Sequence, residues 1–151
     1  SFLDSSGGPL TKVDRDGATV EQDEVKLTGN TTTPVNPIDG TDIPDGNKKI
    51  KLDDDFENAH NQCNHFTGGT LYSTAFGASP LETDDKPMRE ILCTNENTID
   101  FHLVAAMLNA HHYSSYILTV AQVKGLRDGS VAYPSHYDAL NDFLDDTWTD
   151  I

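Results

Sequence analysis

The stretch Ile99-Asp100-Phe101-His102-Leu103-Val104-Ala105-Ala106-Met107-Leu108-Asn109-Ala110 decides the fold. Its apolar residues fall on nearly every face of a helix rather than along one stripe, and a helix of that kind is buried. It is expected to start near Asn97 or Thr98 and to run to about His111. A buried helix needs others around it, and its flanks supply them. Upstream, Lys86-Pro87 followed by Met88-Arg89-Glu90-Ile91-Leu92 suits a short helix with proline in its first turn. Downstream, Thr119-Val120-Ala121-Gln122 is a capping box opening a further helix, which Gly125 or Gly129 ends. Pro134-Ser135 opens a last helix, in which Tyr137, Leu140, Leu144 and Trp148 form an apolar stripe and Asp138, Asn141, Asp142 and Asp145 face water. Residues 86–148 therefore read as a small bundle of about four helices.

The preceding chain reads differently. Residues 56–87 hold large apolar anchors (Phe56, Phe66, Leu71, Tyr72, Phe76) interrupted by Gly68-Gly69, Gly77 and Ser79-Pro80, so short helical turns and loops are expected. Residues 1–55 are poor in apolar side chains and dense in turn signals such as Asp16-Gly17, Gly29-Asn30, Asp39-Gly40 and Asp45-Gly46. Two short alternating pieces, Glu24–Thr28 and Lys49–Leu52, suit strands, with 29–47 between them as a loop or linker. The fold expected is α+β: an extended, partly β or irregular N-terminal arm over 1–55 and a helical domain over 56–151.

The 151 residues carry ten basic and twenty-five acidic side chains, for a net charge of −15, and mean hydropathy is −0.51. Nucleic-acid binding needs clustered Lys and Arg to neutralise phosphates, and here they are scattered among acids. An anionic membrane surface is disfavoured for the same reason. No apolar run is long enough to span a bilayer.

The chain opens Ser1-Phe2-Leu3-Asp4, which fits an exported protein whose leader has been removed. Its two cysteines, Cys63 and Cys93, lie thirty residues apart. In an oxidising compartment they pair most simply with each other, and closing that loop contributes about 3.5–4 kcal/mol in the chain-entropy model. Cys63 with His60 and His65 offers zinc ligands, but structural zinc sites draw on two short ligand pairs and Cys93 has no near companion. The disulfide would clip 56–87 onto the helical body and leave the arm free to engage a partner.

Catalytic signatures are absent. There is no Gly-x-Ser-x-Gly, no His-Glu-x-x-His and no phosphate-binding glycine loop, and no cofactor is implied. Neighbouring carboxylates such as Asp145 and Asp146 share an exposed helix face rather than oppose one another across a cleft. His111 and His112 point about 100° apart on a helix, and His102 lies on the opposite side from His111. Calcium is the one ion with weak candidates: Asp14, Asp16 and Asp23, with Gly17 at the turn, resemble part of an EF-hand loop. Lys12 stands at the first ligand position and Asp23 replaces the final Glu. Asn30-Thr31-Thr32 is a glycosylation sequon at Asn30.

The segments Phe101–Ala110, Tyr116–Val123 and Tyr137–Leu144 together resemble a module of bacterial secreted and surface proteins. In that module a His-x-Val-Ala-Ala-x-Leu-Asn-Ala helix precedes a Tyr-Pro-x-Thr-Val-x-x-Val turn-helix and a last amphipathic helix. The resemblance covers residues 88–148 and is chiefly a packing signature. Members often begin with a Cys-x-Pro-Gly-Tyr-Trp-Lys-like stretch, whereas Asn61–Gly68 has neither the Trp nor the Lys. The resemblance implies bacterial export and a helical C-terminal half, and no activity.

The function expected is structural, with no catalysis: a subunit of an extracellular fibre or sheath, forming homo-oligomers as the arm contacts a neighbouring subunit. The alternative is a monomeric extracellular binding module for a glycan or calcium, with Tyr113, Tyr116, Tyr133 and Trp148 as its exposed aromatic platform.

Overall fold

In the computed structural model, residues 20–22, 35–43, 50–52, 69–94, 98–112 and 116–147 are described. Among them, five helices and one two-stranded ribbon form. The ribbon is β1 (Val20–Gln22) antiparallel to β2 (Ile50–Leu52), in the register Val20↔Leu52, Glu21↔Lys51, Gln22↔Ile50. The helices are α1 (Tyr72–Phe76), α2 (Met88–Thr94), α3 (Ile99–His112), α4 (Val120–Asp128) and α5 (Leu140–Asp145).

Helix α3 is the axis of the body and packs against α2, α4 and α5. All nine side chains from Phe101 to Asn109 are buried. Each fully buried Leu, Met or Phe contributes about 1.5–3 kcal/mol, so this one helix carries a large share of the packing energy. Ala105 and Ala106, both fully buried, present only methyl groups where neighbouring elements approach.

The starts and stops follow local chemistry. At α4 the capping box is complete: Thr119 Oγ1 accepts from the Gln122 amide at 3.2 Å, and Gln122 Oε1 accepts from the Thr119 amide at 3.1 Å. The helix runs through Gly125 and stops at Gly129, whose φ of 83° is left-handed. Gly125 has another duty. A Cβ there would collide with Val131 Cγ2, so the glycine lets the chain after α4 fold back onto it.

Helix α5 starts later than the Pro134-Ser135 signal implies. Residues 134–139 form turns, with the Tyr137 amide donating to the Pro134 carbonyl at 3.2 Å, and the helix begins at Leu140. The expected stripe also shifts. Phe143, Leu144 and Thr147 are buried while Leu140 and Tyr137 are half-buried. The cause is aromatic packing: Tyr137 meets Phe143 edge-on at 5.3 Å, and Tyr133 stacks on Phe143 at 6.4 Å. Trp148 lies outside the described residues.

The main correction concerns the arm. Val35–Ile43, expected within a loop or linker of an arm left free to engage a partner, forms a strap docked on the helical body. A bridge between Val35 and Asp42 closes it. Asn36 is 4% exposed, Ile43 at 9% belongs to the hydrophobic core, and Ile38 packs against that core. Ile50–Leu52 of the expected Lys49–Leu52 strand is observed as β2. Its partner is Val20–Gln22, where a single apolar residue leaves no alternation to read. The Glu24–Thr28 strand, the expected domain boundary at Asp55/Phe56, Cys63 and the Cys93 side chain all lie outside the described residues. No helix among those described is long and apolar enough to cross a membrane.

Candidate functional site

Two polar junctions organise the described residues. The first joins the strap to α4 at Gln122. Gln122 Oε1, already the acceptor for the Thr119 amide, also accepts from Asn36 Nδ2 at 2.7 Å. Gln122 Nε2 donates to Asn36 Oδ1 at 3.2 Å and to Asp39 Oδ2 at 3.3 Å. The capping box holds the glutamine amide toward the strap, so one side chain both caps a helix and grips a distant segment.

The strap makes its own shape. Asn36 Oδ1 accepts from the amides of Ile38 (2.9 Å) and Asp39 (3.3 Å), an Asx turn. Asp39 Oδ1 accepts from the Thr41 amide at 3.0 Å and its hydroxyl at 2.7 Å. The backbone closes with Asn36 N–H to Thr41 O at 2.8 Å and Gly40 N–H to Asn36 O at 2.7 Å. The Thr41 amide and hydroxyl hold the Asp39 carboxyl below the usual aspartate value of 3.8.

The second junction is Asp100, in the first turn of α3 and fully buried. Its carboxylate accepts from three successive backbone amides, Leu81 at 2.8 Å, Glu82 at 2.7 Å and Thr83 at 3.0 Å. On the same loop, the Ser79 carbonyl accepts from the Arg127 guanidinium, which also pairs with Asp128 at 2.8 Å. Burial pushes the Tyr72 phenol well above its usual pKa, with Arg127 pulling the other way. These groups fix the 79–83 loop, and the bonds just named all run within the fold. Tyr116 and Thr147 share a hydroxyl–hydroxyl bond in the interior, and burial raises the Tyr116 phenol as well.

Asp14, Asp16, Asp23, Asn30, His60, Cys63, His65, Tyr113 and Trp148 lie outside the described residues. Tyr116 is buried and cannot serve as an exposed platform. Tyr133 is half-buried with its ring against Phe143. His102 is buried in α3 while His111 is exposed. Among the described residues, no three His, Cys, Asp or Glu side chains gather as a metal site. The strap junction is half legible in the sequence: Thr119-x-x-Gln122 announces the cap, but nothing in that motif announces the second use of Gln122.

A small helical body around one buried helix, with a strap pinned to it and ribbon strands flanking that strap in sequence, is the class these elements define. No family model, no curated protein and no solved structure matches the chain.

Proposed function

We propose that this chain is a secreted structural protein, a self-assembling subunit of an extracellular fibre or sheath, with the N-terminal arm contacting a neighbouring subunit. The observation that carries the reading is the β1–β2 ribbon. Among the described residues no third strand pairs along the outer edge of either strand, and a two-stranded ribbon is marginally stable alone. Such an edge is a template for a strand from another chain. In the helical body, the polar groups gathered at Gln122 and Asp100 hold a helix start, the strap and the 79–83 loop.

The charge of −15 keeps unassembled subunits apart. It makes assembly depend on salt or calcium, because like charges must be screened or bridged. The binding-module alternative is weakened by Tyr116 and Tyr133, two of its four aromatics, which are engaged in packing.

Negative-stain imaging and sedimentation of the full chain, with and without a calcium chelator, test the reading. Ordered polymers are expected, shorter or fewer after chelation. Deleting residues 1–30 removes β1 but spares the strap, and should abolish polymers while leaving the body folded. Dispersed molecules at high concentration under both conditions overturn the proposal.

A further inference from the structure

We propose that Asp39-Gly40 in the strap is a modification site, at which the aspartate closes onto the glycine nitrogen and isomerises once the strap leaves Gln122. The docked strap holds that reaction off. Nothing in the chemistry depends on assembly of the chain.

In an Asp-Gly pair the glycine nitrogen, with no side chain beside it, attacks Cγ of the preceding carboxyl. The new N–Cγ bond closes a five-membered succinimide. The carboxyl hydroxyl leaves as water, taking up the amide proton. Water then opens the ring at either carbonyl. One opening returns aspartate; the other routes the main chain through Cβ as an isoaspartyl linkage. One water is lost and one regained, so the net change is an isomerisation.

Asp39 and Gly40 are both exposed, so water reaches the pair, and the space beside the Gly40 Cα is open. The docked strap nonetheless blocks closure at three points. The Gly40 amide is committed to the Asn36 carbonyl at 2.7 Å. Asp39 Oδ1 is held by the Thr41 amide and hydroxyl and Oδ2 by Gln122 Nε2, so the carboxyl is kept from turning toward its own glycine. The Thr41 bonds also favour the ionised carboxylate, whose oxygen is a poor leaving group. Release from Gln122 frees Oδ2 and loosens the turn. The isoaspartyl product has an extra main-chain atom within the 36–41 turn, so the Asn36–Gly40 and Asn36–Thr41 backbone bonds no longer fit together. Release then becomes one-way.

Ageing of the full chain near neutral pH tests the site. Isoaspartate is counted by enzymatic methylation of its carboxyl and located by peptide mass spectrometry. A synthetic peptide of residues 33–45 supplies the unprotected rate. The native chain should react at Asp39 at least about tenfold more slowly, because closure follows the undocked fraction. Gln122→Glu keeps the capping acceptor, so the start of α4 stands, but it loses both amide donations to the strap. It should speed reaction at Asp39 by about tenfold. Asp128-Gly129 at the end of the same helix is the control within the molecule, and its rate should not change. A native rate equal to the peptide's overturns the proposal. So does a Gln122→Glu chain that reacts at the native rate, or one in which Asp39 and Asp128 accelerate equally.

A second measurement uses aged, unsubstituted protein. The fraction of chains whose Asn36 and Gly40 amides have lost protection against hydrogen exchange should equal the fraction carrying isoaspartate at Asp39, while the α3 amides stay protected. Isoaspartyl chains that keep the strap amides protected overturn one-way release.

Discussion

Asn36 donates its side-chain amide to Gln122 at 2.7 Å, and Gln122 returns the bond at 3.2 Å. This reciprocal pair ties a segment near the N-terminus to the first turn of α4. The glutamine oxygen is shared with the Thr119 amide, so the helix start and the strap are expected to fail together.

Substitution of Gln122 separates the two roles. Gln122→Ala loses the capping-box partner and the grip on the strap, and should destabilise the body by about 1.5–3 kcal/mol, adding a typical cap to a typical part-buried hydrogen bond. Gln122→Glu retains the cap and should cost about half as much. Urea unfolding followed by circular dichroism reads both. Equal losses for the two variants would mean that the cap adds nothing to stability, and an unchanged Gln122→Glu would mean that the strap bonds add nothing.

Asp100 offers a larger effect. Asp100→Ala leaves the amides of Leu81, Glu82 and Thr83 without their acceptor in a buried site. Bonds to a charged group are worth about 1.5–3 kcal/mol each but are not additive, so a loss of about 3–5 kcal/mol is expected. Asp100→Asn keeps one oxygen and should lose less. Limited proteolysis should cut within 79–83 in the alanine variant well before unfolding of the whole body. A loop equally resistant in both variants would rule out Asp100 as its anchor.

The helical half is legible because its signals are local and redundant. The all-round apolar character of Phe101–Leu108 requires burial, and Thr119-x-x-Gln122 fixes the α4 start within a residue. Helix α5 is harder to place, because Tyr137 stands at helical spacing from Leu140 and Leu144 although its ring packs on Phe143 from a turn. The strap is invisible for a different reason. Asn36-Pro37 and Asp39-Gly40 announce a turn, but docking depends on Gln122, and no short-range pattern encodes a pairing of that separation. The Asp100 cluster is hidden likewise, since its partners are backbone amides that carry no sequence signature.

Acidification should loosen the strap. The folded Asp39 carboxyl titrates below 3.8 because Thr41 hydrogen-bonds its ionised form. A group with a depressed folded value contributes stability that is fully present above the unfolded value and is lost as pH falls through the folded one. Strap docking should therefore be constant from neutrality to about pH 4.5 and weaken below about pH 3.8. The side chain is exposed, so the effect is confined to the strap. The protection of the Thr41 amide relative to its intrinsic exchange rate, followed by NMR, should fall in that window in the native protein and not in Asp39→Asn. Identical profiles for the two would exclude Asp39 as the titrating group.

Gly125→Ala sets two opposed effects against each other. Alanine in a helix interior is favoured over glycine by about 1 kcal/mol. The new Cβ, however, would collide with Val131 Cγ2 and lie 3.0 Å from Val131 Cβ. Val131 is β-branched and stiff at χ1, and the Val131 amide is bonded to the Gly125 carbonyl at 3.1 Å, so it has little room to withdraw. Overpacking of this kind costs about 1–3 kcal/mol, and the clash should prevail over propensity. A net loss of up to about 2 kcal/mol is expected by denaturant melts. Val131→Ala in the same chain should recover part of it, because Cγ2 is removed while Cβ stays close. If Gly125→Ala instead raised stability, the chain after α4 could not be folding back as tightly as the Val131 contact requires.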